Sequence, residues 1–229
     1  MSVEIATMVY SSVKWFSRFS NGIDQLTWPE TSIKVVATQS YDGTDELLRE
    51  WFKRMHSKGR AHQVVYVKDL PENRFEKMAK LRNMLLTMCR DADQILMIDS
   101  DLVNFPRDLI DRLKRHKKDI IAPMVHVENS QQFYDSYSFR LRGQRFDLLN
   151  PDFPFVPREI GGTEPIELTS VGSCYLMRGE VARNVQYYGR DVSEQVSFCE
   201  EAVKKGYRIW VDPTVRVDHA DPKKYGVPH

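Results

Sequence analysis

The sequence predicts an α/β protein whose core is a Rossmann-like, mostly parallel sheet flanked by helices, with a smaller antiparallel sheet in its second half. Three observations predict it. Strand and helix patterns alternate along the first half of the chain. Ile95 to Ile98 is a short, wholly apolar run, as a strand buried on both faces must be. After Val125 the alternation gives way to aromatic, polar and proline-rich sequence.

Val3 to Val9 reads as the first strand. Ser11 and Ser12 are offered as caps for an amphipathic helix reaching about Leu26, with Val13, Phe16, Phe19, Ile23 and Leu26 at helical spacing. Ile33 to Thr38 is a second strand, ended by the turn composition Ser40-Tyr41-Asp42-Gly43-Thr44; Thr44 or Asp45 can cap a helix from Glu46 to Lys58. Val64 to Val67 is a third strand and Arg74 to Arg90 a long helix. The central strand follows, then a helix from Arg107 to Lys117 and a strand from Ile120 to Val125.

From Ser130 to Thr163, alternation in Ser136 to Leu141 and turn signals at Arg142-Gly143 and Ile160-Gly161-Gly162 predict antiparallel strands and long loops. Ile166 to Met177 reads as a strand and Glu194 to Lys205 as a helix stopped by Gly206. Arg208 to Val211 and Val215 to Val217 read as short closing strands. The expected organisation is one domain, residues 1–229, with a ligand-binding half over 1–125 and an acceptor-side half over 126–229.

Composition narrows the function. With 33 basic and 32 acidic residues the chain has no net field to draw it to nucleic acid or an anionic membrane. Three cysteines, Cys89, Cys174 and Cys199, share no metal-like spacing and favour a reducing compartment. No signal-peptide pattern and no transmembrane run is present, so a cytoplasmic location is expected.

The chemistry gathers at Asp99-Ser100-Asp101, at the far end of the central strand. Strand alternation would bring the two carboxylates to one point, and in an open parallel sheet ligands bind at the carboxyl ends of the strands. Two close carboxylates need a cation between them, and a hard divalent ion suits oxygen ligands; the bland alternative is a helix cap and a solvated partner. Loops Tyr10 to Ser12, Gln39 to Thr44 and Lys68 to Pro71 should converge on the same place. They bring Thr7, Tyr10 and Asp42 to a base or ribose and Ser100 to the paired aspartates. Arg82 and Asn83, on the neighbouring helix, are further polar candidates. No Gly-x-Gly-x-x-Gly and no Walker lysine loop occurs, so bound phosphates would need a metal. Late in the chain, Ser193 can cap a helix that begins with Glu194, where a carboxylate stays ionised and can act as a base; His219 ends the last strand.

The order of these features resembles the GT-A-fold glycosyltransferases: a nucleotide half, Asp-x-Asp after the fourth strand, Val171-Gly172-Ser173, an acidic helix start before Phe198-Cys199, and a final His. Asp42-Gly43-Thr44-Asp45-Glu46 and Leu81-Arg82-Asn83 are similar to segments of family 2 of these enzymes. The stretch from Asp99 through Lys118-Asp119-Ile120-Ile121-Ala122-Pro123 to Phe133-Tyr134-Asp135 is similar to the fungal mannan-polymerase and capsule-type mannosyltransferases. The resemblance implies a GT-A fold and transfer of a hexosyl or deoxyhexosyl group from a UDP- or GDP-sugar to a hydroxyl of a glycan or glycoprotein. It implies Mn²⁺ or Mg²⁺ held by Asp101, with Asp99 and His219 as further ligands, and places Asp135, Gly172 and Ser173 near the acceptor. Glu194 matches the family's acidic helix start, but the second acidic position is Gln195, which cannot take a proton. Unless Glu194 or Asp191 serves as base, the resemblance favours retention of configuration. A haloacid-dehalogenase-type phosphatase fits Leu96 to Val103 superficially, although its motif normally opens the domain. A nucleotidyltransferase lacks its glycine-rich loop here. A binding module that holds a nucleotide sugar without turnover is the remaining alternative.

Overall fold

The computed structural model describes residues 2–28, 31–149, 162–189 and 192–225. Its strands, in chain order, are β1 (Val3–Val9), β2 (Thr31–Thr38), β3 (His62–Val67), β4 (Gln94–Ile98), β5 (Leu102–Asn104), β6 (Ile120–Val127), β7 (Arg140–Leu141), β8 (Gln144–Arg145), β9 (Ile166–Leu168), β10 (Cys174–Arg178) and β11 (Ile209–His219). The helices are α1 (Phe16–Asp24), α2 (Thr44–Ser57), α3 (Arg74–Met88), α4 (Leu109–Lys114), α5 (Phe146–Leu149), α6 (Gly179–Asn184), α7 (Glu194–Lys204) and α8 (Pro222–Tyr225).

The large sheet runs β3-β2-β1-β4-β10-β6-β11-β5, with β9 also paired to β11, and β7-β8 form a separate two-stranded sheet. Strands β1 to β4 are mutually parallel, and β6 and β11 share their direction; β10, β5 and β9 run against it. Strand β4 is buried along its whole length, with β1 on one side and β10 on the other. That burial explains its unbroken apolar sequence, since neither face of a covered sheet meets water. Helix α1 turns Phe16, Phe19 and Ile23 inward, and the Phe16 and Phe19 rings pack edge-on against Trp51 of α2.

Several boundaries differ from the sequence expectation for identifiable reasons. Helix α1 starts at Phe16 because the Ser12 carbonyl, not a serine side chain, accepts the N–H groups of Trp15 and Phe16. At α2 the capping carboxylate is Asp42, whose Oδ1 accepts from Thr44 N–H at 3.1 Å and Thr44 Oγ1 at 2.6 Å, while Gly43 takes φ +91°. The single strand expected over Ile166 to Met177 divides into β9 and β10, which pair with different neighbours. The two closing strands are one, β11, interrupted between Asp212 and Arg216 where its register against β6 shifts. Between Ser130 and Leu149 only the β7-β8 hairpin is antiparallel strand, turned by Arg142 and Gly143, both at positive φ as a tight hairpin requires. Ile160 and Gly161, in the second expected turn, lie outside the described residues.

Candidate active site

The carboxyl ends of β1, β2 and β4 meet, as the parallel topology requires. Ser11 N–H donates to Ser40 Oγ and Ser12 N–H to Thr44 Oγ1, and the hydroxyls of Ser12 and Ser100 stand 3.4 Å apart. The Lys68 to Pro71 loop, expected to join them, follows strand β3 at the sheet edge and does not line the cavity. That cavity has a volume of about 660 Å³. Its walls carry Tyr10, Arg82, Asp99, Ser100 and Asp101 from the first half, and Asp135, Ser173, Glu194 and His219 from the second.

Arg82 is the electrostatic centre. It is 2% exposed, and its Nη2 donates to both oxygens of Asp99 at 2.9 and 3.0 Å while Nε donates to Glu194 Oε1 at 3.0 Å. Burial disfavours the charged guanidinium, but the two carboxylates reverse that and hold it protonated. Gln195 completes the cluster. Satisfying both ends of its amide turns the nitrogen to Ser138 Oγ at 2.9 Å and the oxygen to Ser173 N–H at 3.0 Å and Arg82 Nη2 at 2.7 Å. Ser193, as expected, caps α7 by accepting from Val196 N–H, and so sets Glu194 at the first turn.

Asp99 and Asp101 do not converge by strand alternation, because β4 stops at Ile98 and the motif lies in the turn before β5. Asp99 faces the Arg82 guanidinium and Asp101 the His219 imidazole. Burial raises the Asp99 pKa, to about 7, against the pull of Arg82, and Asp101 adds to the rise. Burial also acts to raise Asp101, but the His219 imidazole outweighs it and holds the carboxylate below its usual range. His219 Nε2 lies 3.0 Å from Asp101 Oδ2, and Tyr134 stacks on the imidazole with ring centroids 3.5 Å apart.

The fit to a divalent cation can be read from two atoms. His219 Nδ1 is 2.6 Å from the Ala220 carbonyl oxygen, which can only accept, so Nδ1 carries a hydrogen. Nε2 must then either be protonated, facing Asp101, or present a lone pair to a metal, with the Ala220 bond orienting the ring as an outer-shell partner does. Asp101 Oδ1 is buried without a hydrogen-bond partner, an acceptor waiting for a cation. Carboxylate with imidazole suits Mn²⁺. Among the described residues no three His, Cys, Asp or Glu side chains form a ready cage, so the remaining ligands would come from the bound diphosphate and water.

Three sequence candidates are placed elsewhere. Asn83 does not line the cavity, and its amide bonds the Tyr187 backbone: Oδ1 accepts from Tyr187 N–H at 2.8 Å and Nδ2 donates to the Tyr187 carbonyl at 2.9 Å. Thr7 is 1% exposed and does not line the cavity. Asp42 has both oxygens engaged by the α2 start and by Val13 N–H, outside the cavity lining. Gly172 backs the site without lining it; a Cβ there would stand 2.3 Å from the Gln195 side-chain amide and 2.5 Å from Ser138 Cβ. Asp191 lies outside the described residues. Tyr134 and Ser138 also line the cavity; in the sequence they stand only within Phe133-Tyr134-Asp135 and the Ser136 to Leu141 alternation, with nothing to mark them as site residues.

Comparison with solved structures decides the fold. TarS residues 1–349 from S. aureus, in complex with UDP-GlcNAc, superposes with a TM-score of 0.64 at 16% identity, over 96% of this chain and 59% of that one. The mannosyltransferase PcManGT from Pyrobaculum calidifontis, in complex with GDP-Man and Mn²⁺, gives 0.65 at 15% identity, over 97% and 57%. The chain has the GT-A glycosyltransferase fold. Within this GT-A chain the Anp1 family matches residues 65–150, from within β3 through the Asp-x-Asp turn and past the β7-β8 hairpin. Procollagen galactosyltransferase 1 of Danio rerio is 25% identical over 203 residues, covering 81% of this chain. The GT-A chain spans about a third of the length of that relative.

Proposed function

We propose that this chain is a glycosyltransferase domain that moves a hexosyl group from a UDP- or GDP-sugar to a hydroxyl of a glycan or glycoprotein, with Mn²⁺ or Mg²⁺ at the donor diphosphate. The observation that carries the reading is the Asp101–His219 pair on a GT-A framework: a carboxylate with one open, buried oxygen beside an imidazole whose other nitrogen is fixed on a carbonyl. Bound there, the metal would neutralise charge on the leaving nucleoside diphosphate.

The protein residues have separable tasks. Residues 1–125 bind the donor and 126–229 the acceptor. Tyr10 and Ser100, on the loops after β1 and β4, line the donor end of the cavity. Arg82 fixes Asp99 and Glu194 in place, so neither carboxylate needs to reorganise when substrate arrives. Asp135 and Ser173 face the acceptor. The galactosyltransferase relative makes UDP-galactose the first donor to try, and the PcManGT neighbour makes GDP-mannose the second. Three free, buried cysteines suit a reducing compartment, and no helix among the described residues is long and apolar enough to cross a membrane.

The test is release of UDP or GDP from a panel of sugar nucleotides, with and without Mn²⁺. Metal-dependent release from one donor supports the reading. Release of inorganic phosphate from a phosphomonoester instead would support the phosphatase alternative, and tight donor binding with no turnover the binding-module alternative.

A further inference from the structure

We propose that Asp135 is the catalytic base, taking the proton from the acceptor hydroxyl, and that transfer therefore proceeds with inversion of configuration. The inference rests on the glycosyltransferase reading of the cavity and goes beyond it by assigning the base and the stereochemical course.

Four carboxylates line the cavity: Asp99, Asp101, Asp135 and Glu194. Arg82 holds Asp99 and Glu194, and His219 faces Asp101. Asp135 alone of the four has no cation bonded to it among the described residues. It is 6% exposed, the groups that favour its charge at short range are the neutral Ser138 and Ser173 hydroxyls and the Ser138 N–H, His219 acts on it only through space, and its Oδ2 is buried with no hydrogen-bond partner. Asp135 lines the cavity, and a buried acceptor atom with nothing bonded to it calls for a donor that the protein does not supply. An acceptor hydroxyl is such a donor.

The neighbouring network explains why the base is here and not on α7. The Gln195 amide donates to Ser138 Oγ, which frees the Ser138 hydroxyl hydrogen for Asp135. A carboxylate in place of Gln195 would give the single Arg82 guanidinium a third anionic neighbour beside Asp99 and Glu194, which burial would penalise. The neutral amide at 195 and the unpaired carboxylate at 135 are thus two sides of one arrangement. Retention of configuration, suggested by Gln195 alone, is not needed once Asp135 supplies the base.

In the step itself, the Asp135 carboxylate accepts the hydroxyl proton as the acceptor oxygen bonds to the anomeric carbon. The bond from that carbon to the diphosphate oxygen breaks, its electron pair staying on the diphosphate. Asp135 later returns the proton to water. One displacement at one carbon inverts it.

The experiment measures nucleoside diphosphate release from UDP-galactose and GDP-mannose with Mn²⁺, water being the acceptor, in wild type, D135N and D135A. Binding of UDP and GDP is measured separately by calorimetry. D135N, nearly isosteric, is expected to bind nucleotide like wild type and lose about 100-fold or more in release. Azide needs no deprotonation to attack, so it is expected to restore release in D135A and give a glycosyl azide of configuration opposite to the donor. Wild-type release by D135N, or a D135A loss that azide does not restore, or a glycosyl azide of retained configuration, would overturn the assignment while leaving the donor site intact. Absence of nucleotide binding in wild type would overturn the glycosyltransferase reading itself, and this inference with it.

Discussion

Arg82 on α3 grips Asp99 at the end of β4 through a single nitrogen, Nη2, shared between both carboxylate oxygens at 2.9 and 3.0 Å. The same guanidinium reaches Glu194 on α7, so one buried side chain joins the two halves of the site. Replacing Arg82 by Met removes the cation and leaves two carboxylates in the interior. Breaking a buried ion pair from one side costs about 3–5 kcal/mol. Chemical denaturation of Arg82→Met is expected to show a loss of that order, whereas Arg82→Lys, which keeps the charge but not the fork, should lose less stability and still most of its turnover.

Asp101 behaves oppositely. Its Oδ1 lacks a partner and its one ion-pair contact is His219 Nε2, 3.0 Å from Oδ2, so its removal costs the fold that single pair. Asp101→Ala is expected to melt close to wild type and to lose metal-dependent nucleotide binding and turnover. Full turnover in this variant would remove the metal from the account.

Gly172 is a steric requirement of the same network. A methyl group there would meet the Gln195 side-chain amide, Ser138 Cβ and Ser138 Oγ at 2.3 to 2.7 Å, all inside the cluster that positions Asp135. Overpacking of this kind costs about 1–3 kcal/mol. Gly172→Ala should therefore lower the melting temperature and the turnover together, the signature of a shifted site and not of a missing group.

Acid stability has its own sentinel, far from the cavity. Asp212, fully buried at the β11 register shift, accepts from Thr214 N–H at 2.8 Å and Thr214 Oγ1 at 2.6 Å, and its Oδ2 is 2.7 Å from His116 Nε2. Burial alone would raise its pKa, but these hydrogen bonds and His116 outweigh it and lower it. A carboxylate lowered on folding contributes stability that is complete above its unfolded value and is lost as pH falls through the lower, folded one. Unfolding followed from pH 6 to pH 2 should show this loss in wild type. Asp212→Asn should be less stable at pH 6 by about 1–3 kcal/mol and lose less on acidification.

Much of the fold was legible because the parallel half writes its burial into the sequence. Strand β4 is apolar because both its faces are covered, and Gly206, at φ +89°, stops α7 where expected. The second half was harder to read. Strand β10 is inserted between β4 and β6 from far along the chain, and β11 keeps its course through an interruption that looks like an end in the sequence. At the site, Asp99, Asp101, Arg82, Glu194 and His219 were identifiable by residue type and position. Asn83 was not distinguishable from a ligand, because its partner is a backbone segment 104 residues away. For the same reason the singular state of Asp135 shows only when the partners of every other carboxylate can be counted.

The most direct measurement is calorimetric titration of the purified chain with UDP and with GDP, each in the presence and absence of Mn²⁺. The account predicts binding of one nucleoside diphosphate that requires the metal and disappears in Asp101→Ala. Binding that ignores Mn²⁺, or none to either nucleotide, would contradict it.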